Sequence, residues 1–167
     1  TPDEQPHVKR VICEMGGKNA VIVDASADLD EAVVGVRGSA FGFQGQKCSA
    51  CSRAIVLESC YDLFLERLVG ATNSVVIGDP LEPGTDIGPV IDEEAAAKIR
   101  EYIEIGKKES RLALGMEPPA GLAERVGEPF VGPRIFADVA PAARLAHEAI
   151  FGPVLSVSKA RDLDPPR

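Results

Sequence analysis

A chain of 167 residues is long enough for one domain with a sizeable core, and it contains no apolar run near the ~18 residues that a membrane span requires. The net charge of −8, from 18 basic and 26 acidic residues, comes without a dense basic cluster that would bind nucleic acid phosphates. With 45% hydrophobic residues and no signal-peptide pattern, the composition favours a globular cytoplasmic domain that binds neither nucleic acid nor membranes.

Hydrophobic periodicity along the chain alternates between the strand period and the helix period. Strands are predicted at residues 8–12, 20–23, 54–57, 111–114, 130–136 and 154–158. Helices are predicted from residue 29 after Asp28, over 61–72 after Ser59, and over 94–107 after Asp92, because these side chains can cap free N–H groups. The alternation indicates an α/β fold with an open, mostly parallel sheet flanked by helices.

Two stretches rich in turn-forming residues interrupt this alternation. Residues 78–89 are predicted to form a long loop between two helices. Residues 117–129, with three prolines and two glycines, are predicted to form a surface excursion. We therefore expect one domain over residues 1–160, followed by a polar tail, residues 161–167, that is disordered.

The sequence FGFQGQKCSACSR, residues 41–53, places Cys48 in a glycine-punctuated turn between a helical and a strand-like segment. A cysteine attacks carbonyl carbons as the thiolate, and free thiols have a pKa of roughly 8.5. Backbone N–H groups in such a turn can favour the thiolate and stabilise the oxyanion that forms on attack. We therefore predict that Cys48 is a nucleophile.

The sequence CEMGGKNA, residues 13–20, carries Glu14 at the end of an apolar strand-like segment, 34 residues before Cys48. Because Gly16 and Gly17 add little bulk beside it, Glu14 can reach an acyl-enzyme and act as the general base that activates water. The alternative is an ordinary surface carboxylate next to a tight glycine turn.

The remaining cysteines have simpler interpretations. Cys13 and Cys60 are predicted to be buried core residues, as free cysteines usually are. Cys48 and Cys51 form a CxxC pattern, which is compatible with a redox pair, a disulfide under oxidation, or half of a zinc site. No second CxxC supplies further ligands, so we predict no metal.

The motifs around Glu14 and Cys48, at this separation, resemble those of the aldehyde dehydrogenase superfamily. The wording of both motifs, together with GPRIFADVAP at residues 132–141 and IFGPVLSV at residues 150–157, is most similar to its Δ1-pyrroline-5-carboxylate dehydrogenase branch. The likeness runs from about His7 to Lys159. It implies the catalytic-lobe fold of that family.

The resemblance also implies an activity and a set of site residues. The activity is the NAD-dependent oxidation of glutamate γ-semialdehyde, a small-molecule aldehyde, to glutamate in proline breakdown, by a parent enzyme that is a homo-oligomer. Cys48 would form the thioester and Glu14 would activate the water that hydrolyses it. Ser49 would lie beside the substrate carboxylate, and Gly16 and Phe151 would border the nicotinamide ribose.

The chain departs from the family pattern in two respects. The dinucleotide-binding half of the family does not precede the Glu14 motif here, and no glycine-rich run has the dinucleotide fingerprint. The family usually has a glutamate directly before the isoleucine of IFGPV, where this chain has Ala149; Glu148 lies one residue early and is expected to point elsewhere. We expect a truncated catalytic lobe that binds NAD poorly and lacks full activity; the alternatives are a degenerate non-catalytic domain and a weak thiol esterase.

Overall fold

The computed structural model describes residues 9–162, which form one sheet with helices on both faces. The strands are β1 (Asn19–Val23), β2 (Cys51–Leu57), β3 (Arg111–Gly115), β4 (Arg134–Ala137) and β5 (Val154–Ala160). The helices are α1 (Leu29–Phe41), α2 (Glu58–Asn73), α3 (Glu93–Glu109), α4 (Leu122–Val126) and α5 (Arg144–His147).

The sheet has the strand order β1-β2-β5-β4-β3. The first four strands in this order, β1, β2, β5 and β4, are parallel to their neighbours. The last strand, β3, pairs antiparallel with β4 at the edge of the sheet. The predicted α/β class with an open, mostly parallel sheet is therefore confirmed. β2 lies second from one edge, so the turn that precedes it ends at the junction of β1 and β5.

The core lies on both faces of the sheet, because alternate side chains of the inner strands point in opposite directions. On β4, Ile135 and Ala137 pack in the larger cluster, which α1 and α2 cover, whereas Phe136 packs in the smaller cluster with α3 and α5. On β5, Leu155 belongs to the larger cluster and Val154 to the smaller one. The sheet therefore lies between two layers of helices, with α1 and α2 on one face and α3 and α5 on the other.

Two of the three predicted helix starts are confirmed by their capping geometry. The Asp28 carboxylate accepts hydrogen bonds from the amides of Asp30 and Glu31 at 3.0 and 3.2 Å, and Asp92 accepts one from the amide of Ala95 at 2.8 Å. The third predicted start was wrong, although the helix itself is present. It begins at Glu58 directly after β2, so Ser59 lies inside its first turn.

Other predicted boundaries also need correction. No strand forms over residues 9–12, the described part of the first predicted strand, where the chain runs exposed without a strand partner. The strand predicted over residues 130–136 is β4 alone, because residues 130–133, with Pro133, lie outside the sheet. The excursion at 117–129 contains the short helix α4. Most of the predicted tail, residues 163–167, lies outside the described residues.

Candidate active site

The nucleophile candidate lies in the Cys48 turn, defined here as residues 46–50, between α1 and β2. Before it, the chain makes a left-handed turn at Phe43, Gln44 and Gly45, with φ of 52°, 56° and 66°. A left-handed conformation costs a non-glycine residue roughly 1–2 kcal/mol, so two such residues in succession must be held by their surroundings. This turn reverses the chain at the end of α1 and directs the Cys48 turn towards the strand ends.

Asn19, the first residue of β1, fixes the Cys48 turn from the neighbouring strand. Its side-chain amide donates to the carbonyl oxygens of Cys48 and, at 3.4 Å, of Ala50. Cys48 itself is exposed, and its backbone N–H donates to no acceptor within residues 9–162. The turn therefore presents a thiol together with a free amide that can donate to an oxyanion.

The Glu14 segment, residues 9–18, runs past this turn without regular secondary structure. Glu14 is exposed, and a Cβ on Gly16 would have nothing within 4 Å. A Cβ on Gly17 would lie 3.0 Å from the Cys48 carbonyl oxygen. The segment therefore passes so close to the turn that any side chain larger than that of glycine would crowd this oxygen. The strand end expected at Glu14 is therefore wrong, and Glu14 lies on an exposed segment without regular secondary structure that contacts the Cys48 turn.

The third side of the site is the Phe151 turn, residues 148–152. Phe151 is left-handed, with φ of 60°, and its side chain is 47% exposed. A Cβ on Gly152 would lie 2.5 Å from the side chain of Ile99 in α3, and a Cβ on Gly45 would lie 2.3 Å from the Gly152 carbonyl oxygen. The two glycines therefore allow the Phe151 turn to fit between α3 and the turn that precedes Cys48.

These three segments enclose an open cleft of about 710 Å³. Its lining residues are Glu14, Met15, Gly16, Gln46, Lys47, Cys48, Lys98, Ala149 and Phe151. The structure thus brings together four of the five site residues predicted from the sequence. Ser49 is exposed on the adjacent turn but is outside this lining.

Two charged residues of the cleft lining, Lys47 and Lys98, were not predicted from the sequence. Lys47 is adjacent to Cys48, and its ammonium lies 4.8 Å from the centre of the Phe43 ring. Lys98 comes from α3, whose exposed charges carry no sequence signal for the cleft. Together they contribute two positive charges to the cleft lining, against the single carboxylate of Glu14.

Glu148, the carboxylate nearest in sequence to Ala149, has its own partners. It accepts hydrogen bonds from Arg144 at 2.9–3.2 Å and from the hydroxyl of Tyr102 at 2.5 Å. The Arg144 bonds and then the Tyr102 bond lower the pKa of Glu148 to about 2. Ala149, by contrast, lines the cleft with a methyl group, so the Phe151 turn contributes no carboxylate to the cleft lining.

Two half-buried basic residues, Lys18 and Arg53, lie next to each other. Arg53 on β2 donates to the carbonyl oxygens of Lys18 at 2.8 Å and Ala146 at 3.2 Å, as expected for a structural charge. The ammonium of Lys18 is buried without a hydrogen-bond partner within the described residues. Burial, followed by repulsion from Arg53, lowers the pKa of Lys18 to about 8, and Glu148 opposes this shift.

The cysteine predictions are confirmed in part. Cys60 is buried, but Cys13 is exposed, because the segment that carries it joins no strand. Cys51 is buried in β2, its thiol lies 3.2 Å from the Arg53 carbonyl oxygen, and burial raises its pKa. Within residues 9–162 all four cysteines are free, and no cluster of three or more potential metal ligands occurs. In the same range, no helix has the length and apolarity needed to cross a membrane.

This chain is similar to known proteins of the family that its motifs resemble. Residues 3–165 match the model of the aldehyde dehydrogenase family. A 1-pyrroline-5-carboxylate dehydrogenase from Geobacillus kaustophilus (strain HTA426) is 54% identical over 157 residues, which are 94% of this chain and 30% of that protein. The chain thus spans about 30% of the length of the curated relatives it matches.

Solved structures give the same result. Proline utilization A from Bdellovibrio bacteriovorus, inactivated by N-propargylglycine, is 49% identical with a TM-score of 0.88, covering 98% of this chain and 16% of that one. A 1-pyrroline-5-carboxylate dehydrogenase from Thermus with bound NAD is 45% identical with a TM-score of 0.79, covering 89% of this chain and 28% of that one.

Proposed function

The chain belongs to the aldehyde dehydrogenase family, and from this premise we propose that it is the cysteine-bearing catalytic lobe of an enzyme that oxidises glutamate γ-semialdehyde to glutamate with NAD. The observation that carries the proposal is the shared cleft, in which Cys48 and Glu14 come from two segments that touch at Gly17. The names of the relatives support the substrate, and so do Lys47 and Lys98, whose charges suit an aldehyde that carries a carboxylate.

Cys48 provides the nucleophile. Its thiolate attacks the aldehyde carbon, a C–S bond forms, and the carbonyl oxygen becomes an oxyanion that the free Cys48 N–H stabilises. The oxyanion re-forms the C=O bond as this carbon gives up a hydride, for which NAD would be the acceptor when bound, and Cys48 then carries a thioester. Ser49, beside Cys48 on the exposed turn, is proposed to contact the substrate carboxylate.

Glu14 completes the reaction by hydrolysis. Its carboxylate takes a proton from water as the water oxygen attacks the thioester carbon, and the C–S bond breaks to release the acid and the Cys48 thiolate. The open surroundings of Gly16 leave room for Glu14 to approach the acyl group. Because Glu14 is exposed, it exchanges protons directly with solvent.

The cleft fits the nicotinamide end of NAD only in part. Gly16 and the half-exposed Phe151 can border the ribose and the ring, and both line the cleft. Ala149 offers no hydrogen-bond partner to ribose hydroxyls, and Glu148 is held by Arg144 and Tyr102. We therefore propose that the 167-residue chain alone carries out the cysteine chemistry but does not complete the NAD-linked oxidation, which makes a weak thiol esterase its activity in isolation.

A p-nitrophenyl ester tests this cysteine chemistry without NAD. We expect a burst of about one p-nitrophenol per chain followed by slower turnover, with both phases lost in Cys48→Ala and retained in Cys13→Ala, the other exposed cysteine. Glu14→Gln should keep the burst and slow the later phase by roughly 10²–10⁴-fold, as expected for loss of a general base. A burst that survives in Cys48→Ala would refute the assignment of the nucleophile.

The oxidation requires a longer protein for its test. Replacing the matching 157 residues of the Geobacillus kaustophilus relative with those of this chain gives a chimera of natural length. With glutamate γ-semialdehyde and NAD, we expect NADH formation that disappears in Cys48→Ala, and a lower KM for NAD in Ala149→Glu. A folded chimera without Cys48-dependent NADH formation would contradict the proposed oxidation.

A further inference from the structure

Arg53 follows the Cys48 turn on β2 and is hydrogen-bonded to the segments that lead to Glu14 and to Phe151. It lies five residues after Cys48 on β2, and it donates to the carbonyl of Lys18, four residues after Glu14. It also donates to the carbonyl of Ala146, five residues before Phe151. One guanidinium therefore connects the segments that lead to Glu14 and to Phe151 with β2, the strand that follows Cys48.

Neither of these carbonyls has a partner in regular structure. Lys18 precedes β1 in a segment without secondary structure. Ala146 belongs to α5, which has four residues, so its carbonyl accepts no hydrogen bond from an amide within the helix. Arg53 is suited to this task because its planar group donates in two fixed directions at once, whereas a lysine ammonium is a single point charge on a flexible stem.

Ser156 gives an internal comparison for one side of this arrangement. It is paired with Arg53 across β2 and β5, and its hydroxyl donates to the Leu145 carbonyl of α5 at 3.0 Å. Ser156 therefore anchors α5 alone, without reaching the Glu14 segment. The link between the Glu14 segment and α5 therefore depends on Arg53.

We propose that Arg53 is a positioning residue that holds the Glu14 segment and the Phe151 turn at fixed places relative to Cys48 through the carbonyls of Lys18 and Ala146. The functional part of this inference rests on the roles proposed above for Cys48 and Glu14. Its consequence is a selective kinetic effect. Cys48 is also held by Asn19, so loss of Arg53 should misplace Glu14 more than Cys48, and deacylation should suffer more than acylation.

Hydrogen–deuterium exchange tests the positioning independently of any activity. In Arg53→Lys, which keeps the charge, we expect amides on either side of Lys18 and of Ala146 to exchange about tenfold faster, the effect of losing one charged hydrogen bond at each site. Ser156→Ala should affect the Ala146 region only. Arg37→Lys, which removes a guanidinium bond to the Ala71 carbonyl away from the cleft, should affect neither region.

Ester kinetics then measure the functional consequence in the same variants. Arg53→Lys should slow the phase that depends on Glu14 about tenfold while changing the burst rate less than about threefold. Wild-type exchange at either region, or an equal loss in both kinetic phases, would overturn the proposal. If the wild-type chain shows no burst that depends on Cys48, the proposed function fails, and the exchange data alone still decide the role of Arg53.

If Arg53→Lys does not fold, the wild-type chain provides the decision. Nitrogen-15 spectra of its arginine side chains should show resolved, slowly exchanging Nη protons for Arg53, because both ends of the guanidinium are bonded. Rapid rotation of this group, as in exposed arginines, would overturn the proposal.

Discussion

The four cysteines occupy different environments, so their reactivities should separate. Cys48 and Cys13 are exposed, whereas Cys51 and Cys60 are buried, and burial raises the pKa of Cys51. With limiting iodoacetamide, we expect Cys48 and Cys13 to be alkylated at least about tenfold faster than the buried pair. Peptide mass spectrometry of timed samples measures this order. Early modification of Cys51 in the folded chain would contradict the burial described here.

Lys18 gives a second prediction at this scale. Its pKa falls from 10.5 in an unfolded chain to about 8 in the folded one, so between these values only the unfolded chain keeps the proton. The charged form is therefore a stability cost below pH 8, and this cost diminishes as the pH rises from 8 to 10.5. Lys18→Met removes the cost and should raise the free energy of unfolding at pH 7 by on the order of 1–3 kcal/mol.

Urea unfolding at pH 7, 8.5 and 10 checks this prediction. The stability difference between Lys18→Met and the wild-type chain should shrink as the pH rises, because the wild-type chain loses its buried charge. Curves that stay parallel over this range would show that Lys18 keeps its ordinary pKa, despite its burial beside Arg53.

Cleft residues could be predicted from the sequence only where a side chain carries its own signal. Cys48 and Glu14 were predicted from a thiol in a glycine-rich turn, a carboxylate beside two glycines and the family resemblance of both motifs; the structure places both in one cleft, and their catalytic roles stay a prediction. Lys98 was not found, since its place in the cleft depends on the packing of α3 against the Phe151 turn. Cys13 was predicted wrongly for the same reason, because burial depends on a partner strand that the described residues do not provide.

At the scale of elements, Gly45 and Gly152 determine how closely the turns around the cleft approach each other. Gly45→Ala places a Cβ in a left-handed residue and against the Gly152 carbonyl, so it should lower the free energy of unfolding by more than about 2 kcal/mol. Gly35→Ala, in the exposed middle of α1 with open space around it, should instead stabilise the chain by about 0.5–1 kcal/mol. Urea denaturation of both variants measures the contrast, and a neutral Gly45→Ala would contradict the close approach.

Element prediction succeeded where local chemistry determines structure. Asp28 and Asp92 are caps whose effect is confined to one turn, and both helix starts were found. Short elements were missed, because α4 and α5, of five and four residues, gain most of their stability from packing of Leu122 and Leu145 and not from propensity. The edge strand β3 was found, but its antiparallel direction is a property of the connection and left no local pattern.

At the scale of the whole molecule, the two core clusters share the central strands, so neither should unfold alone. The chain has no tryptophan and two tyrosines, and these lie on opposite faces of the sheet: Tyr61 in the larger cluster and Tyr102 against the smaller one. Each tyrosine is therefore a fluorescent probe of one face when the other is replaced by phenylalanine.

We expect the tyrosine fluorescence transition to coincide with the far-ultraviolet circular dichroism transition in both Tyr61→Phe and Tyr102→Phe. Tyr61→Phe should have the lower urea midpoint, because the Tyr61 hydroxyl accepts from the Asp138 amide at 2.8 Å and donates to its carboxylate at 3.0 Å. Coincidence follows from β4 and β5, whose alternate side chains enter both clusters. If the Tyr102 face melts first, α3 and α5 form a separate unit, and the Phe151 wall of the cleft can then open while the Cys48 turn stays folded.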